Sequence, residues 1–535
     1  KQLPPPNSLP QQLLESVARA VGPTGAVKQV DDATARSPAE AQRRADAEQR
    51  ARAQAELEAE EEAEGEAEKK GAAPEAGAGG SEWDPITDES DFFARLQTVR
   101  LRRSVPKQQH CTPFTCSFVP RYAKYTIAQL RALDAALREE VWPDLGAGKL
   151  PDKGEAERWF WEGLASEAEA RILYSSDLEG TAFPESGTYG EHAWSLARLA
   201  NHERSLLRFV EYSIPGVNAP MLYFGMLFSM FCWHVEDNYM YSVSYLHEGA
   251  PKTWYGVSPA NAAEFDRVFK TRGFPDQVAA DPQLLLKKSS MIPPSLLLEE
   301  GVPVSRVVQR PGQFVVTLPQ AYHAGFSHGA NTAEAVNFML ADWLPYARLS
   351  MAAYRALRRE PVLDIEQIVV QAAVDQHSAE VEREAEALVA EELRLRRQLR
   401  KSGCAEQMME QKDKLYALGR GPPCFVCGHV CHLSFAQLGT DRSHGASHAP
   451  RTEACLLHAS ALAEGAAEGD GPLTLFTRYD DAWLQLLPRR GKHAAAATLQ
   501  PPADVPRYHT IAAGAAAASP PKQGGEKLKK QKVRR

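Results

Sequence analysis

The sequence predicts a mainly β core, built as an antiparallel double-sheet jelly roll (a double-stranded β-helix) with flanking helices. A helical segment and a small metal-stapled module are expected to follow it. Three observations carry this reading. From 171 to 345, short runs rich in Val, Tyr, Phe, Trp and Thr are separated by turn residues, the pattern of antiparallel strands folded into two packed sheets. From Ile365 to about Leu418 the chain is highly charged, with Leu388, Leu393, Leu395 and Leu399 spaced along it, which reads as a packing helix or an exposed stalk. Between 424 and 458, Cys-x2-Cys is followed later by Cys-x2-His, and two such short knuckles can complete a tetrahedron around zinc.

Composition bounds the possibilities. A chain of 535 residues is long enough for two or three domains. It starts with Lys1 rather than methionine, so it is expected to be a fragment of a longer protein. A net charge of −8 argues against a general nucleic-acid binder. Eight cysteines are too few for a disulfide scaffold, and four of them crowd between 424 and 455, which favours metal over disulfides. No signal peptide is visible. The apolar run from Ala219 to Val235 is interrupted by Pro220 and Gly225 and is rich in aromatics, so it reads as buried strands and not as a membrane span.

In chain order, 1–85 is a Pro-, Gln- and Ala-rich start, a stretch from Ser37 to Lys70 made almost entirely of Ala, Glu, Arg and Gln, and a Gly/Ala linker. Such a segment is expected to be disordered or a solvated charged helix, and to act as a spacer. Residues 86–170 are expected to form a helical lead-in, with one helix starting at a Thr126 cap and another around Ala156–Trp161. Arg171–Leu178 reads as the first strand of the jelly roll, which runs over 171–345. The helical segment takes 346–420, the zinc module 421–490 with a closing strand over Leu473–Tyr479, and a disordered tail 491–535. That tail ends in Lys527-Leu528-Lys529-Lys530-Gln531-Lys532-Val533-Arg534-Arg535, a cluster suited to nuclear import, to a DNA-phosphate contact, or merely to solubility.

The stretch that organises the core is Phe231-Cys232-Trp233-His234-Val235-Glu236-Asp237. Residues two apart on a strand share a face, so His234 and Glu236 can present an imidazole and a carboxylate to one point. With a histidine from a second strand, such a pair makes the two-histidine, one-carboxylate face of non-heme Fe(II) oxygenases. An isolated His-x-Glu is common, so its flanks decide. Downstream lie Tyr241-Ser242-Val243-Ser244-Tyr245-Leu246-His247 and Gly249-Ala250-Pro251-Lys252-Thr253-Trp254-Tyr255. Further on come Pro311-Gly312-Gln313-Phe314-Val315-Val316-Thr317-Leu318-Pro319, then Tyr322-His323-Ala324-Gly325-Phe326, then Ala335-Val336-Asn337-Phe338.

Together these motifs resemble the JmjC histone lysine demethylases, and within them the branch acting on methylated lysine 4 of histone H3. The resemblance covers about Phe114 to Pro345 and returns between Cys424 and Leu487. It implies a cupin-type jelly roll in which His234, Glu236 and His323 bind Fe(II), with 2-oxoglutarate as cosubstrate. Lys252 would pair with a carboxylate of that cosubstrate, because an unpaired charge in a closed pocket is costly. Ser242 would support the same ligand and Phe231 would lie against it as an apolar wall. Tyr174 would hydrogen-bond its distal carboxylate, unless it is a buried structural tyrosine. Ser244 stands where most relatives have asparagine, so the cosubstrate would be held more weakly or through a water. Tyr223 and Asn337 match contacts of the methyl-lysine pocket, whose cationic guest favours aromatic faces; Tyr223 is equally compatible with ordinary core. Ala335 stands where lysine 9/36 demethylases tend to have serine.

The implied reaction is hydroxylation of an N-methyl group, followed by release of formaldehyde. The implied partner is a methylated histone H3 tail, in the nucleus, with chromatin complexes and a DNA contact by the tail as further possibilities and no membrane. Two alternatives remain open: a JmjC hydroxylase acting on a non-histone side chain, and a weakly active chromatin scaffold. The JmjN segment usual upstream in that family is not found. The Cys/His module resembles the zinc finger that follows the JmjC domain in the lysine 4 demethylases, where relatives bind two zincs. Two further cysteine pairs of that pattern are missing here. One structural zinc is therefore expected, on Cys424, Cys427, Cys455 and His458, with Cys431, His444 and His448 in reserve.

Overall fold

The computed structural model describes residues 91–101, 113–409, 421–437, 453–465 and 473–488, apart from 147–148, 167–170, 185–186, 193, 211 and 376–377. The expectations for 1–85 and for the basic tail, and for His444 and His448, lie outside the described residues.

The lead-in departs from the helical expectation. It begins with two long antiparallel strands, β1 (Asp91–Leu101) and β2 (Phe114–Thr126). Pro120 lacks an amide for the ladder and weakens the strand pattern in the sequence. The pairing accommodates it with a register shift between Phe93 and Arg95, opposite Lys124 and Pro120 respectively. Helix α1 (Ile127–Val141) then starts on a reciprocal capping box, in which the Gln129 amide donates to Thr126 Oγ1 at 3.1 Å and the Thr126 amide to Gln129 Oε1 at 2.9 Å. Helix α2 (Lys153–Ser166) follows.

Strand β3 (Arg171–Glu179) pairs with β1 and with β4 (Met221–Gly225), so the strand read as the first of the core is the third in its sheet. β5 (Met230–His234), β6 (Tyr241–Gly249), β7 (Lys252–Val257), β8 (Ser290–Met291), β9 (Ser305–Gln309), β10 (Phe314–Thr317), β11 (Tyr322–Ser327) and β12 (Asn331–Phe338) complete two facing sheets. Their orders are β10-β6-β12-β4-β3-β1-β2-β8 and β5-β11-β7-β9. This is the antiparallel jelly roll expected of 171–345, enlarged by β1 and β2. The Ala219–Val235 run forms β4 and β5 inside it, and among the described residues no helix is long and apolar enough to cross a membrane.

Aromatics from α2 pack against β11 and the β4–β5 connection: Phe160 stacks on Phe326 at 4.2 Å and Trp159 on Phe228 at 4.6 Å. A second core joins Tyr241, Val243, Val336 and Phe338 of the larger sheet to α4 (Leu344–Ala356), α5 (Ile365–Asp375) and α6 (Ala379–Lys401), α3 being Ala262–Val268. The helical expectation to about Leu418 is shortened, since α6 ends at Lys401 and Gly403 takes φ 80° beyond it. β13 (Ala405–Met408) then joins a small sheet with β14 (Ser434–Gln437), β15 (Glu453–Ala454) and β16 (Thr474–Thr477), in the order β13-β16-β14-β15. Helices α7 (Leu456–Gly465) and α8 (Asp481–Leu486) complete this module.

The module is tied to the helices by buried charge. Arg396 of α6 is fully buried, and it pairs with Glu392 at 2.8 Å while donating to the Tyr479 and Leu433 carbonyls at 2.7 and 3.2 Å. Glu366 accepts from the His432 and Leu433 amides at 2.9 and 3.0 Å and meets His429 Nε2 at 2.9 Å. These satisfied pairs fix one docking geometry, because losing either member would strand a buried charge.

Candidate active site

His234 ends β5 and His323 is the second residue of β11, directly opposite it in the ladder. Glu236 differs from the same-strand expectation. The strand stops at His234, and Glu236 lies in the extended residue that leads into a short turn. That extended backbone still returns the carboxylate to the histidines, with Oε1 3.9 Å from His234 Nε2 and 3.3 Å from His323 Nε2. Three ligand-type atoms, one from each residue, lie within 4.8 Å of one another.

Both rings are oriented by their other nitrogen. His234 Nδ1 meets the Cys232 carbonyl at 2.7 Å and His323 Nδ1 the Ala321 carbonyl at 3.0 Å. A carbonyl only accepts, so Nδ1 carries a proton and each Nε2 faces the shared point. Burial, then the neighbouring His323, push His234 down to about 3, which keeps its ring neutral at physiological pH as a metal ligand must be. Burial alone would raise Glu236, yet the His323 hydrogen bond and the neighbouring positive groups hold it well below the usual carboxylate range. Two imidazoles and an ionised carboxylate on one side of an otherwise open point fit a divalent metal with free coordination positions.

The residues expected to hold a cosubstrate lie on strands of the same jelly roll. Lys252 opens β7, is 3% exposed, and has its ammonium 5.5 Å from the centre of the Tyr174 ring. Among the described residues no carboxylate or carbonyl pairs with it, and burial alone pushes it down to about 8. A buried cation without a counter-charge fits an anionic ligand. Tyr174 also faces Tyr223, their ring centres 6.2 Å apart. Phe231 packs on Trp254 at 4.4 Å and lies 6.4 Å from the His323 ring. Ser242 and Ser244 share the inner face of β6, and both are buried.

Asn337 does not gather with Tyr223. It lies four residues along β12 from Ala333, the residue opposite Tyr223, which is about 13 Å of strand. Its side-chain amide is engaged in the sheet, donating to the Tyr241 carbonyl at 2.9 Å. In the small module, Cys424, Cys427, Cys455 and His458 bring four ligand-type atoms within 4.8 Å. His458 Nδ1 is 3.2 Å from Cys455 Sγ and 3.7 Å from Cys424 Sγ. Within the cluster, hydrogen bonds from Cys427 and Cys455 push the Cys424 thiol far down, while those two thiols are themselves pushed up, chiefly by Cys424. Cys431 is not recruited; it is buried and donates to the His429 carbonyl at 3.4 Å.

Several neighbours of the site carry little mark in the sequence. Thr317 of β10 meets Ser242 through hydroxyls 2.6 Å apart, and strand alternation in Phe314–Thr317 was the only available signal. Gly325 permits β11 to approach β7 and Phe231: a Cβ there would lie 2.2 Å from the Thr253 carbonyl and 2.4 Å from Phe231 Cζ. Lys288 pairs with Asp237 at 3.3 Å beside the metal-facing carboxylate, and nothing local in the sequence marks it.

A jelly roll with a two-histidine, one-carboxylate face and an unpaired buried lysine has the arrangement found in non-heme iron oxygenases. Comparison with known proteins makes this specific. Residues 221–338 match the JmjC domain, described as a hydroxylase, and the chain therefore carries a JmjC domain. The lysine-specific demethylase JMJ706 of Oryza sativa subsp. japonica is 38% identical over 291 residues, 53% of this chain and 33% of the relative. JMJ17 of Arabidopsis thaliana is 35% identical over 354 residues, 60% of this chain and 28% of the relative. Lysine-specific demethylase 5D of Homo sapiens is 36% identical over 299 residues, 52% of this chain and 19% of the relative. The chain thus spans about a third or less of the length of these relatives.

Proposed function

We propose that this chain is an Fe(II)- and 2-oxoglutarate-dependent dioxygenase that removes methyl groups from histone lysine, with lysine 4 of histone H3 as the favoured substrate. The observation that carries the reading is the convergence of His234, Glu236 and His323 in the same barrel as the buried, unpaired Lys252. The names of the relatives support lysine demethylation, and the resemblance to the lysine 4 branch supports the site. A bound Fe(II) with its cosubstrate would supply the oxidising power for hydroxylating an N-methyl carbon.

The chain's own residues do the rest. His234, Glu236 and His323 would hold the metal, and the Nδ1 anchors of the two histidines keep their rings from rotating. The Lys252 ammonium neutralises one cosubstrate carboxylate, with the Tyr174 ring 5.5 Å from it and Ser242 held by Thr317. Ser244 offers a shorter side chain than asparagine and leaves room for a bridging water. Phe231 and Trp254 exclude water from the same side. Tyr223, next to Tyr174, presents an aromatic face to a methylated ammonium. Cys424, Cys427, Cys455 and His458 hold one structural zinc.

A hydroxylase acting on another side chain is the second reading, favoured by one observation: Asn337 commits its amide to the Tyr241 carbonyl, which leaves the methyl-lysine pocket with fewer free polar contacts. Mass spectrometry of a histone H3 peptide trimethylated at lysine 4 distinguishes the two. With Fe(II), ascorbate and 2-oxoglutarate, stepwise loss of methyl mass with formaldehyde, absent in His234→Ala, is the expected result. Succinate formation without loss of methyl mass would overturn the histone reading and leave the hydroxylase.

A further inference from the structure

The turn immediately after Glu236 is strained and is held from outside the jelly roll. Asn238 and Tyr239 both take positive φ, 51° and 55°, a region that asparagine tolerates but that tyrosine enters only when the surroundings hold it there. Asn238 is fully buried, and its anchors come from the helical layer that follows the barrel. Its amide donates to the Tyr354 hydroxyl at 3.0 Å, its carbonyl accepts from Trp343 Nε1 at 3.0 Å, and its Oδ1 accepts from the Leu363 amide at 3.3 Å. The Tyr354 hydroxyl also reaches Asp237 Oδ1 at 3.3 Å, and that carboxylate is flanked by Arg359 at 3.5 Å and Lys288 at 3.3 Å. The turn is closed by the Tyr239 amide donating to the Glu236 carbonyl at 2.9 Å.

We propose that Tyr354 and Asn238 are positioning residues for Glu236: the helical layer clamps the strained turn and thereby sets where the metal-binding carboxylate stands. The inference rests on the metal-site reading above. Glu236 lies beyond the end of β5, so no strand pairing fixes it as pairing fixes His234 and His323. The clamp supplies that missing restraint. Residues that orient metal ligands from one contact away commonly change metal affinity by about ten- to a hundredfold when removed.

The test measures Mn(II) affinity of the full chain, read by the electron paramagnetic resonance of free Mn(II), beside the thermal unfolding of the metal-free protein. Tyr354→Phe keeps the ring in the core and removes only the hydroxyl. Asn238→Gly accepts the positive φ without strain and removes the acceptor for Leu363, so it serves even if the first variant folds poorly. His234→Ala defines the signal that belongs to this site. The expected result is Mn(II) binding about tenfold weaker in both variants, with unfolding temperatures close to that of the parent. Affinity within twofold of the parent in both variants would overturn the proposal, since a merely structural bond would move only the unfolding temperature. A parent protein with no His234-dependent Mn(II) binding would overturn the metal reading itself, and the clamp with it.

Discussion

Replacing Lys252 by methionine removes a buried ammonium that has no counter-charge and leaves an unbranched apolar chain of similar length in its place. Burial pushes this lysine down to about 8 from its ordinary 10.5. At about 1.4 kcal/mol for each tenfold change in proton affinity, the unpaired charge costs the ligand-free protein about 3 kcal/mol at neutral pH. The sign follows from proton binding. Between about 8 and 10.5 the unfolded chain holds a proton on Lys252 that the folded chain has released, so stability rises with pH across that window. The penalty is complete below about 8 and gone above 10.5. Guanidinium unfolding of metal- and ligand-free protein is therefore expected to find Lys252→Met more stable than the parent by about 2–3 kcal/mol at pH 7, with the difference falling to about 1 kcal/mol at pH 9.5. A variant no more stable than its parent, or a difference that ignores pH, would refute the reasoning, because the ammonium would then have a partner in the folded protein.

Two further outcomes follow from close packing and from the cysteine cluster. Gly325→Ala would drive its Cβ into the Thr253 carbonyl at 2.2 Å and Phe231 Cζ at 2.4 Å. It is expected to lower stability by about 1–3 kcal/mol or more and to weaken Mn(II) binding through the adjoining His323, measured by unfolding and metal titration together; an unchanged unfolding curve would contradict the close approach. Elemental analysis should find one zinc per chain, lost in Cys427→Ser, because one four-ligand set is gathered among the described residues; two equivalents would contradict this.

Much of the site was readable because its chemistry is local in sequence. His234, Glu236 and Lys252 lie close together in sequence, across β5, β6 and the start of β7, and the motif around His323 carries its own strand, turn and aromatic flanks. The capping box at Thr126 is likewise written in four consecutive residues. What escaped depends on distance. β1 and β2 were hidden because Pro120 breaks a strand pattern that tertiary pairing restores with a register shift. The end of β5 at His234 cannot be told from a strand that runs on to Glu236, because alternation continues through the extended residue that follows. Lys288, Tyr354 and Leu363 reach the Glu236 turn from 51 to 125 positions away, and no period or spacing encodes such contacts. Asn337 was placed by motif alone, and the motif does not show that its amide serves the sheet.

On this reading His234, Glu236 and His323 bind a metal, and Lys252 binds a dicarboxylate beside it. Calorimetric titration of 2-oxoglutarate into the protein, with and without Mn(II), tests it most directly. One equivalent is expected to bind when the metal is present, with binding lost without metal, in His323→Ala and in Lys252→Met. Binding of equal strength in metal-free protein, or in Lys252→Met, would contradict it.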